Sequence, residues 1–259
     1  MLGDGAGAPV APRKTPDESA LKRARERVIV ALDCSGERAL ELADLLSEEV
    51  RWVKVGMELF YAGGAPVVRE LKRRGLNVFL DLKLHDIPNT VRNAARVLSS
   101  LGADMLTVHA GGGDAMVAAA REGIDQGASQ AGLRAPKLLA VTVLTSLDQD
   151  ALGRLGVDRP VADHARLLAR LACGNGADGV VCSPMEAPLM HAALPESALV
   201  VTPGVRPAGS ALGDQSRVAT PGGAIAAGST HLVVGRPITK AADPRVAARA
   251  IIEEVALAL

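Results

Sequence analysis

Short apolar runs rich in β-branched residues alternate with longer amphipathic segments along the chain from Arg27 onward. Apolar runs of this length are typical of strands that are buried on both faces of a parallel sheet. We interpret eight of them as strands, at residues 28–33, 52–56, 77–83, 104–109, 138–144, 179–183, 199–203 and 231–235. The pattern therefore predicts an eight-stranded parallel sheet.

The segments between these runs carry apolar residues at a spacing of about 3.6 positions, which is typical of helices that cover a sheet with one face. Such segments are clear at residues 37–46, 66–74 and 91–101, and another, at 244–259, follows the eighth strand. Glycines stand where several of these helices should end, as is common at helix C-termini. They are Gly75, Gly102, Gly176 and Gly228.

Strands that alternate with helices predict parallel pairing through right-handed crossovers. Eight such units without a linker favour an α/β fold of the (β/α)8 TIM-barrel type, in a single domain that spans residues 28–259. An open Rossmann sheet is less favoured, because the first strand leads into Asp33-Cys34-Ser35-Gly36 and not into a GxGxxG loop. The Gly-, Ala- and Pro-rich start predicts a disordered N-terminal tail, to which we assign residues 1–27.

Composition narrows the range of partners. Hydrophobic residues make up 48% of the chain but aromatic residues only 2%, so the core must be largely aliphatic. Basic and acidic residues number 29 each, which leaves no net field to favour a nucleic acid or an anionic membrane. The sequence has no apolar stretch near the roughly 20 residues that span a bilayer, and its start lacks the apolar core of a signal peptide. Its three cysteines form no CxxC pair, which favours a reducing cytoplasm. We therefore expect a cytoplasmic protein, and the balanced charge and short apolar runs predict neither nucleic-acid nor membrane partners.

Two charged residues occupy alternate positions of the third predicted strand. Because side chains alternate between the two faces of a strand, Asp81 and Lys83 should point to the barrel axis together with Phe79. The three leucines at 80, 82 and 84 should then face the helices. Charges inside a barrel carry a heavy desolvation cost unless they are paired or functional.

Further charges fall at the same end of the predicted barrel. Asp33 and Lys54 stand at the ends of the first two strands, and Asp86 follows the third. Active sites of TIM barrels lie at the carboxyl ends of the strands, so we predict that these side chains converge on an active site. The alternative is a buried ion-pair cluster that only stabilises the fold.

The last two strands lead into loops that are typical phosphate sites of barrel enzymes. Strand seven runs into the sequence TPGVRP at 202–207, and a long polar loop follows at 208–220. Strand eight ends at Gly235, where the backbone can approach an anion, beside Arg236, which can donate a charge-assisted hydrogen bond. The alternative for Arg236 is an ordinary surface arginine, and for Arg217 in the long loop the two interpretations are equally open.

Histidines give no sign of a metal site. His109 ends the fourth strand and should face inward, either as a partner of the site residues, which we favour, or as a catalytic base. The other four histidines lack metal-ligand spacing. We predict neither a metal nor an organic cofactor.

The decapeptide DLKLHDIPNT at residues 81–90 closely resembles the signature of the orotidine 5′-monophosphate decarboxylase family. The strings TPGVRP at 202–207 and VGRPIT at 234–239 agree with it, and the resemblance extends over residues 28–258. It implies the conversion of orotidine 5′-monophosphate to uridine 5′-monophosphate and carbon dioxide, the last step of de novo pyrimidine synthesis.

The resemblance also implies roles for individual residues. Lys83 would donate the proton to C6 of the pyrimidine, Asp81 would lie against the departing carboxylate, and Asp86 would complete the charged network. Lys54 and Asp33 would contact the ribose. Residues that match base- and phosphate-binding positions of the family are Thr145, Pro203, Arg206, Gln215, Gly235 and Arg236.

A homodimer with shared active sites is a further implication, because the family residues that match Asp86, Ile87 and Thr90 reach into the partner's site. Two other functions remain as alternatives. One is a Mg²⁺-dependent sugar-phosphate decarboxylase or aldolase of the same superfamily, which would need an additional carboxylate for the metal. The other is a non-catalytic sensor of a phosphorylated ligand, which should have lost part of the charged cluster.

Overall fold

The computed structural model describes residues 15–207 and 219–259. Eight parallel strands form a closed barrel in sequence order, and the first pairs with both the second and the eighth. The strands are β1 Val28–Ala31, β2 Trp52–Gly56, β3 Asn77–Leu84, β4 Met105–His109, β5 Lys137–Val141, β6 Gly179–Val181, β7 Leu199–Thr202 and β8 His231–Val234. The predicted (β/α)8 TIM barrel is confirmed. Strand β1 ends two residues before its predicted boundary, so Asp33 lies on a loop. Strand β5 ends three residues before its predicted boundary, and Thr145 lies on the loop that follows it.

Helices follow the strands around the outside of the barrel. Those of the described residues are α1 Glu18–Arg25, α2 Gly36–Leu46, α3 Met57–Arg73, α4 Pro88–Ser99, α5 Asp114–Ala131, α6 Gln149–Arg154, α7 Val161–Gly174, α8 Ala187–Ala193, α9 Pro221–Ala226, α10 Arg236–Thr239 and α11 Pro244–Leu257. The four glycines predicted to end helices all have φ between +76° and +102°, a conformation that side chains disfavour. Within the described ranges, none of the helices combines the length and apolar character needed to cross a bilayer.

The expectation of a disordered tail through residue 27 is wrong for its last part. Helix α1 begins after Asp17, whose carboxylate accepts a hydrogen bond from the amide of Ala20 at 2.7 Å. Ala20 and Ala24 are buried, and α1 packs against α11. Two alanines one turn apart give only a weak apolar stripe, which is why the pattern did not reveal the helix. Residues 1–14 lie outside the described part of the chain.

The core has two layers, one inside the barrel and one between the sheet and the helices. Phe79 belongs to the inner layer, together with buried residues from six other strands. Leu80 and Leu82 belong to the outer layer, as the alternation along β3 predicts. The small inner layer leaves the carboxyl end of the barrel to polar side chains.

Helices α4 and α5 approach each other very closely. A side-chain carbon on Gly123 or Gly127 of α5 would collide with the carbonyl oxygens of Arg92 and Arg96 on α4. Glycine is therefore required at both positions for this contact. The contact fixes α4, which begins two residues after Asp86 at the carboxyl end of β3.

Candidate active site

A cavity of about 480 Å³ opens at the carboxyl ends of the strands. It is of the size that small-molecule sites usually have, about 300–1,000 Å³. Nine of the predicted site residues line it: Asp33, Lys54, Asp81, Lys83, Thr145, Pro203, Arg206, Gly235 and Arg236. The structure thus brings together residues that are up to 203 positions apart in the sequence, from Asp33 to Arg236. Gln215, and with it Arg217, lies outside the described residues.

Four of these side chains form a continuous chain of alternating charges. Nζ of Lys54 lies 2.9 Å from Oδ1 of Asp33 and 3.6 Å from Oδ2 of Asp81. Nζ of Lys83 lies 2.8 Å from the same Oδ2 of Asp81. Lys54 and Asp81 are buried, whereas the side chains of Lys83 and Asp33 are 26% and 57% exposed and face the cavity. Two ammonium groups and two carboxylates make the cluster neutral as a whole.

Asp81 is ionised in spite of its burial. Burial alone would raise the pKa of this carboxyl group, but the charges of Lys54 and Lys83 outweigh burial and hold the pKa below its ordinary value. Hydrogen bonds from Lys83 and from the hydroxyl of Thr107 act in the same direction. Both carboxylate oxygens of Asp81 therefore have donors, and the negative charge between the two lysines is fixed in position.

The backbone at Lys83 departs from a regular strand. The pairing of β3 with β4 shifts between Leu80 and Leu84, so that residues 81–83 lie in a bulge. Lys83 has φ of +51°, and it is the one residue other than glycine with positive φ in the described ranges. This conformation is unfavourable for a lysine and occurs preferentially at functional sites. Alternation along the strand predicts the inward direction of Lys83, but it does not predict the bulge.

Cationic side chains line the cavity at the ends of β7 and β8, across from the charged cluster. Arg236 begins the short helix α10 directly after Gly235, and both residues line the cavity. Arg206 lines it from the segment after β7, where its amide donates to the carbonyl of Ala219 at 2.9 Å. Lys240, at the end of α10, also lines it and was missed by the sequence analysis. This cationic side can bind an anionic group at a distance from the buried cluster.

A pair of histidines lies beside the cavity, without lining it. The rings of His85 and His109 are 5.4 Å apart, centre to centre, and tilted by 35°. Burial lowers the pKa of His109, and the proximity of His85 and Lys83 lowers it further, so the neutral imidazole is favoured. The position of His109 outside the cavity lining favours a supporting role over that of a base. Among the residues that the structure describes, no group of three or more His, Cys, Asp or Glu side chains is arranged to hold a metal.

The three residues expected to reach a partner lie on the rim of the barrel. Asp86, Ile87 and Thr90 are exposed at the start of α4 and do not line the cavity of their own chain. Oδ1 of Asp86 accepts a hydrogen bond from the amide of Ile87 at 2.6 Å. The side chain of Ile87 is left in solvent, with 66% of the residue exposed.

Comparison with known proteins agrees with this geometry. A family model described as "Orotidine 5'-phosphate decarboxylase / HUMPS family" matches residues 26–251. A protein of Parasynechococcus marenigrum named orotidine 5′-phosphate decarboxylase is 51% identical over 224 residues, which cover 86% of this chain and 91% of the relative. A protein of the same name from Cutibacterium acnes is 52% identical over 227 residues, covering 87% of this chain and 94% of the relative.

A solved structure is similar to this chain in both fold and sequence. The crystal structure of orotidine 5′-phosphate decarboxylase from Lactobacillus acidophilus matches with a TM-score of 0.79 and 45% identity, covering 89% of this chain and 99% of that one. The resemblance inferred from the DLKLHDIPNT string is confirmed. The matched region includes the whole charged cluster and both strand ends that carry the cations. The chain belongs to the orotidine 5′-phosphate decarboxylase / HUMPS family.

Proposed function

We propose that the protein decarboxylates orotidine 5′-monophosphate to uridine 5′-monophosphate and carbon dioxide, as the last step of de novo pyrimidine synthesis and without a metal or organic cofactor. The observation that carries this proposal is the neutral cluster at one side of a cavity whose other side is cationic; its members are Asp33, Lys54, Asp81 and Lys83. The names of the relatives support the choice of substrate.

The reaction needs a site that stabilises a localised negative charge. When the bond between C6 and the carboxylate breaks, the electron pair stays on C6, where no neighbouring group delocalises it well. A cation already fixed next to C6 stabilises that charge without reorganisation. Lys83 supplies the cation and then the proton, which moves from Nζ to C6. The neutral amine that remains on Lys83 is reprotonated from solvent.

Asp81 and Lys54 prepare Lys83 for this step. Asp81 holds the ammonium group of Lys83 through its Oδ2, and the ammonium group of Lys54 approaches the same oxygen from 3.6 Å. Lys54 also binds Asp33, whose exposed side chain can accept hydrogen bonds from the ribose hydroxyls. The carboxylate of the substrate would lie near Asp81, and the repulsion between them is relieved when carbon dioxide leaves.

Recognition of the phosphate falls to the cationic side. We assign the phosphate to the backbone at Gly235 and the guanidinium of Arg236, with Arg206 and Gln215 as further contacts. Thr145 and Pro203 line the wall of the cavity and would contact the base. Binding energy from the phosphate, remote from C6, can hold the pyrimidine against Lys83 and so support the chemical step.

The active unit in this proposal is a two-fold homodimer. A two-fold dimer places the same surface of both chains in one interface and creates two equivalent sites. The exposed Ile87 and its neighbours Asp86 and Thr90 lie on the rim next to the cavity, where a second chain could receive them. We place the enzyme in the cytoplasm, which agrees with its three free cysteines.

The direct test is the absorbance change of orotidine 5′-monophosphate on addition of the purified protein in excess EDTA. We expect full activity after EDTA treatment and dialysis. Absence of decarboxylation, together with Mg²⁺-dependent turnover of a sugar phosphate, would instead support the Mg²⁺-dependent alternative. Tight binding of the nucleotide without turnover would support the sensor.

A further inference from the structure

Thr107 is a buried polar residue next to the charged cluster that no part of the proposed mechanism uses. It lies in the middle of β4 and has no exposed surface. Its hydroxyl oxygen accepts a hydrogen bond from the backbone amide of Lys83 at 2.8 Å. The same hydroxyl donates to Oδ1 of Asp81 at 3.0 Å. One side chain thus binds the backbone of one cluster residue and the carboxylate of another.

The bulge in β3 explains why a hydroxyl is needed at this position. Leu80 pairs with Leu106 and Leu84 pairs with Val108, so three residues of β3 lie opposite Thr107 alone. A bulge leaves amide groups without their ladder partners, and a buried amide without an acceptor is costly. The hydroxyl of Thr107 takes the place of the missing backbone acceptor for Lys83.

The two hydrogen bonds also fix the direction of the hydroxyl. A hydroxyl has one hydrogen and two lone pairs. Because the amide of Lys83 can only donate, it occupies a lone pair of the oxygen, and the hydroxyl hydrogen is available for the ionised Asp81. Serine could make both bonds, whereas valine has the shape of threonine and could make neither. The chemistry required at residue 107 is therefore specific.

We propose that Thr107 is a positioning residue, which holds the backbone of Lys83 at positive φ and the carboxylate of Asp81 in register, so that Nζ of Lys83 is aimed into the cavity. This inference rests on the proposed function, in which Lys83 donates the proton. Thr107 does not line the cavity, so we expect no contact between it and the substrate. Its loss should therefore affect the chemical step more than substrate binding.

The experiment compares Thr107→Val with Thr107→Ser in steady-state decarboxylation of orotidine 5′-monophosphate. We expect Thr107→Val to lower kcat by about 10- to 100-fold, the range for loss of a hydrogen bond to a charged group, with KM changed less than about threefold. Thr107→Ser should retain kcat within about threefold. The matched control is Thr142→Val. Thr142 is a buried threonine whose hydroxyl donates to the carbonyl of Val181, and its variant should keep kcat near that of the wild type.

Folding is checked by circular dichroism and thermal unfolding of each variant. If Thr107→Val does not fold, Thr107→Ala replaces it, and the difference between Ser and Ala isolates the hydroxyl. The inference is overturned if the wild type decarboxylates the substrate and the folded Val or Ala variant keeps kcat within threefold, or if Ser loses as much as Val. It is also overturned if only Ser folds, because Thr107 would then serve folding alone. A wild type without decarboxylase activity would instead overturn the proposed function itself.

Discussion

Nζ of Lys83 lies 2.8 Å from Oδ2 of Asp81, although the two residues are only two positions apart on β3. In a regular strand, residues at this spacing are roughly 6.6 Å apart along the chain and project in parallel. The bulge in β3 and the positive φ of Lys83 change the direction in which the lysine leaves the strand. The side-chain nitrogen of Lys83 is therefore held against the carboxylate of Asp81 at the edge of the cavity.

Arg236 provides a test that separates phosphate binding from chemistry. We expect Arg236→Ala to raise KM for orotidine 5′-monophosphate by about 10- to 100-fold, since it removes a charge-assisted hydrogen bond to the phosphate. The phosphate-free nucleoside orotidine is the matched control, and its slow turnover should change less than about threefold. Equal damage to both substrates would place Arg236 outside the phosphate site.

His231 makes the stability of the barrel depend on pH at the end opposite the active site. Burial, with a smaller effect of the Arg27 charge, lowers the pKa of His231 to about 4 from an ordinary value of 6.5. As the pH falls, the unfolded chain binds this proton first, so the free energy of unfolding is lost between about pH 6.5 and pH 4. From pH 7.5 to pH 5, the loss from this group should be about 2 kcal/mol.

Urea unfolding of His231→Gln and His191→Gln at these two pH values measures that contribution. His191 lies exposed on α8 and is the matched control. The His231 variant should lose about 2 kcal/mol less than the wild type on acidification, whatever its stability at pH 7.5. The His191 variant should follow the wild type. The same pH dependence in all three proteins would contradict the neutral state of His231.

The shared-site dimer can be tested by mixing two inactive chains. Lys83→Ala and Asp86→Ala should each be nearly inactive alone if Asp86 serves the partner's site. In a mixed dimer one site then carries both defects and the other carries neither. Random pairing makes about half of the dimers mixed, so co-expression should restore about one quarter of the sites. If mass spectrometry finds mixed dimers but no activity returns, Asp86 serves its own chain.

The sequence was sufficient for the architecture and for the placement of most charges. Eight apolar runs with helical segments between them predicted the barrel, and alternation predicted that Phe79 lies inside it and Leu80 outside. The residues at the strand ends could be placed together because the carboxyl ends of parallel strands meet at one end of a barrel. For this reason, the sequence predicts that Asp33, Lys54 and Lys83 lie in one site.

What the sequence did not reveal depends on contacts between neighbouring strands and helices. The bulge opposite Thr107 arises from the pairing of β3 with β4, and nothing in the residues themselves marks it. A threonine in a buried strand beside a charged strand was the available signal for Thr107. Lys240 reaches the cavity only because α10 is a single short turn after β8. Helix α1 buries two alanines, Ala20 and Ala24. In the sequence, this apolar pattern is too weak to distinguish the helix from a disordered tail.

The central claim is that Lys83 is the cation and proton donor of a decarboxylase. The most direct measurement is kcat for orotidine 5′-monophosphate of Lys83→Ala beside Lys137→Ala, each with its fold checked by circular dichroism. Lys137 is the matched control, because its Nζ lies 2.8 Å from Asp178 at the opposite end of the barrel. We expect Lys83→Ala to lose at least about 10⁴-fold in kcat, since it removes both charge stabilisation and the proton donor, and Lys137→Ala to stay within about threefold. A loss below tenfold in a folded Lys83→Ala variant would contradict the claim.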